Sequence, residues 1–133
     1  MNIKVFYSKE GASNIPLLIK MHNESDVFYH QTFSITANSG SIDFFCDWPF
    51  RTVCYLDFCD STPSITYDYM SIERFWFDDL WDSKDLVYRG RNIPDTENSA
   101  VDTECNDSNS IFYTGTLRYT IPPRPILNMA LNA

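Results

Sequence analysis

The sequence predicts an all-β fold: a single-domain antiparallel β-sandwich with at most one short helix. Three observations carry this. Apolar and polar residues alternate at a period of two through much of the chain. Turn-forming residues break that pattern about every eight to twelve positions. Aromatic residues make up 16% of the chain and hydrophobic residues 44%, a composition that suits pleated, half-buried strands. A length of 133 residues is that of one domain, enough to bury about two thirds of the unfolded surface without a covalent staple.

Ile3 to Tyr7 reads as the first strand, closed by Lys9, Glu10 and Gly11. Ile15 to Met21 reads as the second, with His22 to Ser25 as the loop after it. Val27 to Thr36 alternates loosely, the Asn38-Ser39-Gly40 stretch is a turn signal, and Ile42 to Cys46 follows, so these two segments predict a hairpin. Thr52 to Phe58 sets Cys54, Leu56 and Phe58 against Val53, Tyr55 and Asp57, and Asp60 to Pro63 breaks it. Ile65 to Tyr69 is a further strand candidate.

Ile72 to Trp81 has two readings. At a period of 3.6, Ile72, Phe75, Trp76 and Leu80 share a helical face, with Ser71 as N-cap. At a period of two, Ile72, Arg74, Trp76 and Asp78 alternate with Glu73, Phe75, Phe77 and Asp79. A strand through Phe77 followed by a loop is favoured, because three consecutive aromatics suit a strand. Residues 92–110 are rich in Asn, Asp, Ser and Thr and predict the longest loop, with a short edge strand near Val101. Ile111 to Ile121 is the last strand, with Gly115 as a bulge position. Pro122, Pro123 and Pro125 end it, so the division is a sandwich over 1–121 and a Pro-rich tail over 122–133.

A net charge of −8 argues against nucleic acid as a partner, since such a binder displaces phosphate counterions with basic residues. The acids are concentrated: residues 61–110 hold eleven against four Lys and Arg, and residues 111–133 hold none. Lys4, Lys9 and Glu10 interrupt any apolar leader, so synthesis in the cytoplasm without a signal peptide is the expectation. Cys46, Cys54, Cys59 and Cys105 contain no C-x-x-C pair, which disfavours structural zinc. Cys54 and Cys59 either approach across a tight turn or stay as free thiols.

No cofactor is implied. His22 and His30 are the only histidines, and no nucleophile motif accompanies them, so no enzyme activity is expected. Asp78, Asp79, Asp82 and Asp85 offer oxygen ligands, but without the spacing or glycine of an EF-hand they read as solvated loop acids rather than a metal site. Trp48, Trp76 and Trp81 each lie within three positions of an Asp. Tryptophan favours boundaries with one apolar and one wet side, which makes all three candidate ligand contacts.

The segment Phe75 to Lys84, FWFDDLWDSK, resembles the signature region of the aegerolysins, in which an aromatic strand runs into an Asp, two residues, a Trp, a small residue, Ser and Lys. Phe75, Asp78, Trp81, Ser83 and Lys84 fall on those positions, and Tyr113 to Ile121 is similar to the family's last strand. The family's Cys-Pro before the Trp and Gly after it are Asp79-Leu80 and Asp82 here. The resemblance implies a β-sandwich that binds membrane lipid, often of sphingolipid type, and acts with a larger pore-forming partner. It implies Phe77 and Trp81 as membrane-facing or loop-anchoring aromatics and Asp78 as a loop-ordering acid.

The leading expectation is therefore a non-enzymatic binding module, with its contact surface around residues 75–85 and membrane lipid as its target. An inhibitor or immunity-type factor docking on a basic partner protein is the alternative, and a carbohydrate-binding module the third. On the leading reading, Trp81→Ala leaves the thermal unfolding midpoint in place and weakens liposome co-sedimentation. Unfolding of that variant would instead make Trp81 a core residue.

Overall fold

Alternation builds the first two strands almost residue by residue. In β1 (Asn2–Lys9) Ile3, Val5 and Tyr7 are buried, and in β2 (Ile15–His22) Ile15, Leu17, Ile19 and Met21 are buried, with the residues between them half-exposed. The computed structural model describes residues 1–11, 14–47, 53–60, 70–78, 80–81, 86–94, 105–112 and 115–123, with 80, 81 and 105 as backbone. The remaining strands are β3 (Val27–Ile35), β4 (Ser39–Phe45), β5 (Cys54–Asp60), β6 (Met70–Phe77), β7 (Leu80–Trp81), β8 (Gly90–Pro94), β9 (Cys105–Ser108), β10 (Ser110–Ile111) and β11 (Gly115–Ile121). One 3-10 turn, Val87–Arg89, precedes β8.

Among the described residues these strands form two antiparallel sheets. The first runs β10-β6-β1-β4, with β7 also paired to β6, and the second runs β3-β2-β5-β11-β8-β9. This is the β-sandwich expected from the periodicity. The sheets meet over an aromatic block. Phe75 of the first sheet stacks near Phe58 of the second at 6.3 Å between ring centroids, and meets Tyr119 edge-on at 4.9 Å. Phe58 and Tyr119 complete the triangle at 6.0 Å and 88°. All three side chains are essentially fully buried. Each such ring contributes roughly 1.5–3 kcal/mol by leaving water, and edge-on pairs add about 0.5–1.5 kcal/mol. The Tyr119 hydroxyl donates to the Val87 carbonyl at 2.6 Å, so the one polar atom of the block is satisfied.

Several expectations need correction. Val27–Ile35 and Ser39–Phe45 are not a hairpin: β3 pairs with β2 and β4 with β1, so the chain crosses between sheets at Asn38. The Asn38 carbonyl accepts the Lys9 backbone N–H at 2.7 Å, tying that corner to β1. Periodicity specifies which side of a strand is apolar, not which strand it pairs with. The inward rows of β3 and β4 face one another instead, and Tyr29 stacks on Phe44 at 4.7 Å and 17°. Burial raises the Tyr29 hydroxyl above its ordinary value.

The stretch from Ile111 to Ile121 is not one strand. Ile111 ends β10 in the first sheet, and β11 begins at Gly115 in the second, so Gly115 starts a strand rather than bulging one. Residues 92–110 contain the end of β8 and all of β9, where a loop was expected; 95–104, with Val101, lie outside the described residues. Polar side chains hid these strands, because Asn92 is buried with its amide donating to the Ser108 hydroxyl at 2.5 Å. Ile65 to Tyr69 and residues 124–133 of the tail also lie outside the described residues.

Cys54 and Cys59 sit on the same strand, five residues apart, about 17 Å along a strand at 3.3 Å per residue, so no turn brings them together. Cys46, Cys54 and Cys59 are free thiols. Burial, reinforced by the neighbouring Cys46, pushes the Cys54 thiol up to about 12.

Gly90 is where β8 passes closest to the block. A Cβ there would meet the Ser108 carbonyl oxygen, Leu117 Cδ1 at 2.5 Å and Tyr119 Cζ at 3.0 Å. Gly90→Ala is therefore expected to lower stability by about 1–3 kcal/mol in urea unfolding, the usual range for overpacking. Gly40→Ala, whose added Cβ meets only the Tyr7 ring and hydroxyl at 3.2 Å or more, is the control and costs less.

Candidate functional site

On β6 the alternation buries Phe75 and Phe77 and turns Trp76 outward, where it is half-buried. Trp76 and Asp43 are the two cross-strand partners of Lys4, which makes a row across β4, β1 and β6 on the outer face of the first sheet. The Lys4 ammonium lies 5.6 Å from the Trp76 ring centroid and 3.9 Å from Asp43 Oδ2. Both charged side chains are well exposed, so the ion pair contributes about 0–1 kcal/mol and its members are free to re-aim towards a ligand. Beside the row is an open cleft of about 370 Å³, lined by Asn2, Ile3, Lys4, Asp43, Phe44 and Trp76. A ligand in it meets an indole, an amide, an ammonium and a carboxylate.

The segment singled out from the sequence divides. Phe77 is 1% exposed and packs against Phe75 at 5.5 Å, so it is a core residue and not a membrane-facing one. The chain does not go straight from β6 into a loop: Leu80–Trp81 returns as β7, with Trp81 the register partner of Trp76. The Trp81 side chain lies outside the described residues, as do Trp48 and Asp79, Asp82 and Asp85. Asp78 is the residue that turns the hairpin. It adopts a left-handed φ of 42°, which Asp tolerates better than most residues. Its backbone N–H donates to the Asn2 carbonyl at 2.9 Å, and its Oδ1 accepts the Asn2 N–H at 2.9 Å. Asp78 thus orders the turn beside the cleft and fastens it to Asn2, one of the cleft residues. Phe77, Asp78, Trp76 and Trp81 are neighbours along β6 and β7, but only Trp76 among them is placed as a cleft-lining side chain.

The outer face of the second sheet carries a cluster that the sequence reading missed. Asp57 on β5 is 5% exposed. Arg118 on β11 grips it with two hydrogen bonds, Nε to Oδ1 at 2.8 Å and Nη2 to Oδ2 at 2.9 Å, and His22 Nε2 lies 2.6 Å from Oδ2. The Arg118 guanidinium also lies over the Tyr55 ring at 4.8 Å. Its hydrogen bonds to Asp57 hold it above its ordinary value. The signal was an acid in the middle of a strand of buried apolar residues, and an Arg at the centre of the acid-free C-terminal stretch.

His22 of this cluster and Cys59 on β5 are not a nucleophile–base pair. Cys59 bonds to the Thr116 hydroxyl at 3.1 Å, and in the β2–β5 register it lies level with Leu18, four residues from His22, about 13 Å along the strand. That exceeds proton-transfer reach. Among the described residues, no group of three or more His, Cys, Asp and Glu side chains is placed to hold a metal.

No family model matches the chain, and no curated protein matches it. Among solved structures, the fold is shared with vCBM60, a carbohydrate-binding module determined in complex with galactobiose. The similarity has a TM-score of 0.50 at 6% identity and covers 92% of this chain and 98% of that one. At that identity the likeness shows the fold alone: both chains are β-sandwiches.

The Asp78 geometry generates a graded expectation. Asp78→Asn keeps a side-chain acceptor and a residue suited to left-handed φ, and leaves the urea midpoint close to that of the parent. Asp78→Ala loses the bond from Asn2 and strains the turn, and costs about 1–2 kcal/mol.

Proposed function

We propose that the protein is a non-enzymatic carbohydrate-binding module that takes a neutral saccharide in the cleft beside Trp76. The observation that carries this reading is the row of Trp76, Lys4 and Asp43 with Asn2 at one edge of a cleft of about 370 Å³. A sugar ring has an apolar face of C–H groups and a rim of hydroxyls. An indole offers the first a flat partner, and an amide, an ammonium and a carboxylate offer the second both donors and acceptors. The volume is at the lower end of the range for small-ligand sites, which suits one or two sugar units. The β-sandwich shared with a galactobiose-binding module agrees with this reading.

The membrane-lipid reading, implied by the resemblance at Phe75 to Lys84, now rests on Trp81 at the β6–β7 hairpin, since Phe77 belongs to the core. The saccharide reading has more of its chemistry in one place.

Quenching of tryptophan fluorescence by a panel of neutral disaccharides, galactobiose among them, tests the proposal. Binding is expected, with Trp76→Ala weakening it about tenfold or more at an unchanged thermal midpoint, and Asp43→Ala weakening it several-fold through loss of a hydrogen bond of about 1 kcal/mol. No saccharide response, together with co-sedimentation on zwitterionic vesicles, would overturn the saccharide reading in favour of lipid.

A further inference from the structure

The second sheet presents a different surface. Its register sets His30, Lys20, Asp57, Arg118 and Arg91 side by side on five adjacent strands, β3, β2, β5, β11 and β8. Each alternates with inward residues, so the five side chains form one straight strip on the outer face. Three of the ten Lys and Arg residues and one of the two histidines of the chain are in this strip, and the other histidine, His22, is on the next row. Lys20, Arg91 and Arg118 against Asp57 make the strip +2, so the rest of a chain at −8 sums to −10.

We infer that this strip is a second binding site, one that takes a linear acidic polysaccharide through its carboxylate or sulfate groups. The saccharide class of the ligand follows the function proposed above, but the site is on the opposite sheet and uses none of the residues around Trp76.

Three features support the assignment. The first is spacing. Neighbouring strands are about 4.8 Å apart, so Lys20, Arg118 and Arg91 stand at roughly 0, 10 and 14 Å along the strip, a pattern that suits anionic groups repeated along an extended chain. The second is preorganisation. Arg118 is fixed by its two bonds to Asp57 and by the Tyr55 ring beneath it. Two of the five guanidinium N–H groups go to Asp57, and the side chain keeps 28% of its exposure. A ligand anion therefore meets a charge that is already held in position, and binding spends little entropy in ordering it. Asp57 positions Arg118 and does not itself face the ligand, being 7% exposed at its side chain.

The third feature is charge confinement, which selects among polyanions. A nucleic acid duplex carries one charge per about 1.7 Å and a wide counterion atmosphere. A duplex would extend past the strip, and the −10 summed over the rest of the chain opposes it there. A saccharide chain with at most about one charge per ring lies along the strip alone.

The test is affinity electrophoresis and titration at low salt with two acidic polysaccharides, chondroitin sulfate and polygalacturonate, with neutral dextran and a double-stranded DNA oligonucleotide as comparators. Binding of at least one acidic polysaccharide, weakening as salt is added, is expected. The double variant Lys20→Ala/Arg91→Ala is expected to lose about tenfold or more in that affinity while keeping its circular dichroism spectrum and thermal midpoint. Trp76→Ala is expected to keep acidic-polysaccharide binding, so failure of the Trp76 cleft and failure of this strip are read separately. The inference is overturned by absence of binding to both acidic polysaccharides at low salt, by an unchanged affinity in the double variant, or by oligonucleotide binding as tight as that of the polysaccharides.

Discussion

The aromatic block of Phe58, Phe75 and Tyr119 is the constraint on which the rest of the molecule depends. It joins the two sheets through ring contacts of 4.9 to 6.3 Å. In a strand only every second side chain points inward, so once Phe75 and Phe77 are committed to this block, Trp76 is committed to the opposite side. The same holds across the sandwich, where Leu56 and Phe58 inside put Tyr55 and Asp57 outside, and Leu117 and Tyr119 inside put Arg118 outside. The surface chemistry of both sheets is the complement of the core.

That complementarity also sorts what was legible in the sequence. Strand positions in β1, β2, β5 and β6 were readable because apolar alternation there is strong. Pairing was not, and the crossing at Asn38 shows why: Ile42 and Phe44 bury equally well beside β3 or beside β1, and only the partner sheet decides. β8 and β9 were invisible because their buried positions include Gly90 and Asn92, whose fit depends on close packing and on a side-chain hydrogen bond rather than on hydrophobicity. For the site, the segment around Phe75 to Trp81 was recognisable as unusual, and it does border the cleft. Its partners Lys4 and Asp43 lie at separations of more than thirty residues and came together only through strand register.

The two outer faces differ in how they hold charge. Beside Trp76 the Lys4–Asp43 pair is exposed and weakly coupled, as suits groups that exchange water for a ligand. On the other sheet Asp57 is withdrawn from water and bound on both oxygens, and removal of either partner of such a pair typically costs about 3–5 kcal/mol. One face is adaptable and the other is set. The resemblance at Phe75 to Lys84 fits neither description fully, because it groups a core ring, Phe77, with a turn residue, Asp78, that acts through the backbone of Asn2.

The position of β11 has a consequence for how the chain is made. The last described strand in the sequence lies in the interior of the second sheet, between β5 and β8, and it carries Tyr119, the third ring of the block. During synthesis β5 emerges some sixty residues before its partner, judging by the pairing of Leu56 with Tyr119. Until β11 arrives, the inner edge of β5 presents unpaired backbone and an uncovered Phe58, the kind of edge that invites pairing with other chains. Non-local pairing of this sort also slows folding towards the millisecond-to-second range. A nascent chain of this protein therefore passes through a long interval in which it needs its own C-terminal strand, or a chaperone, to keep it from its neighbours.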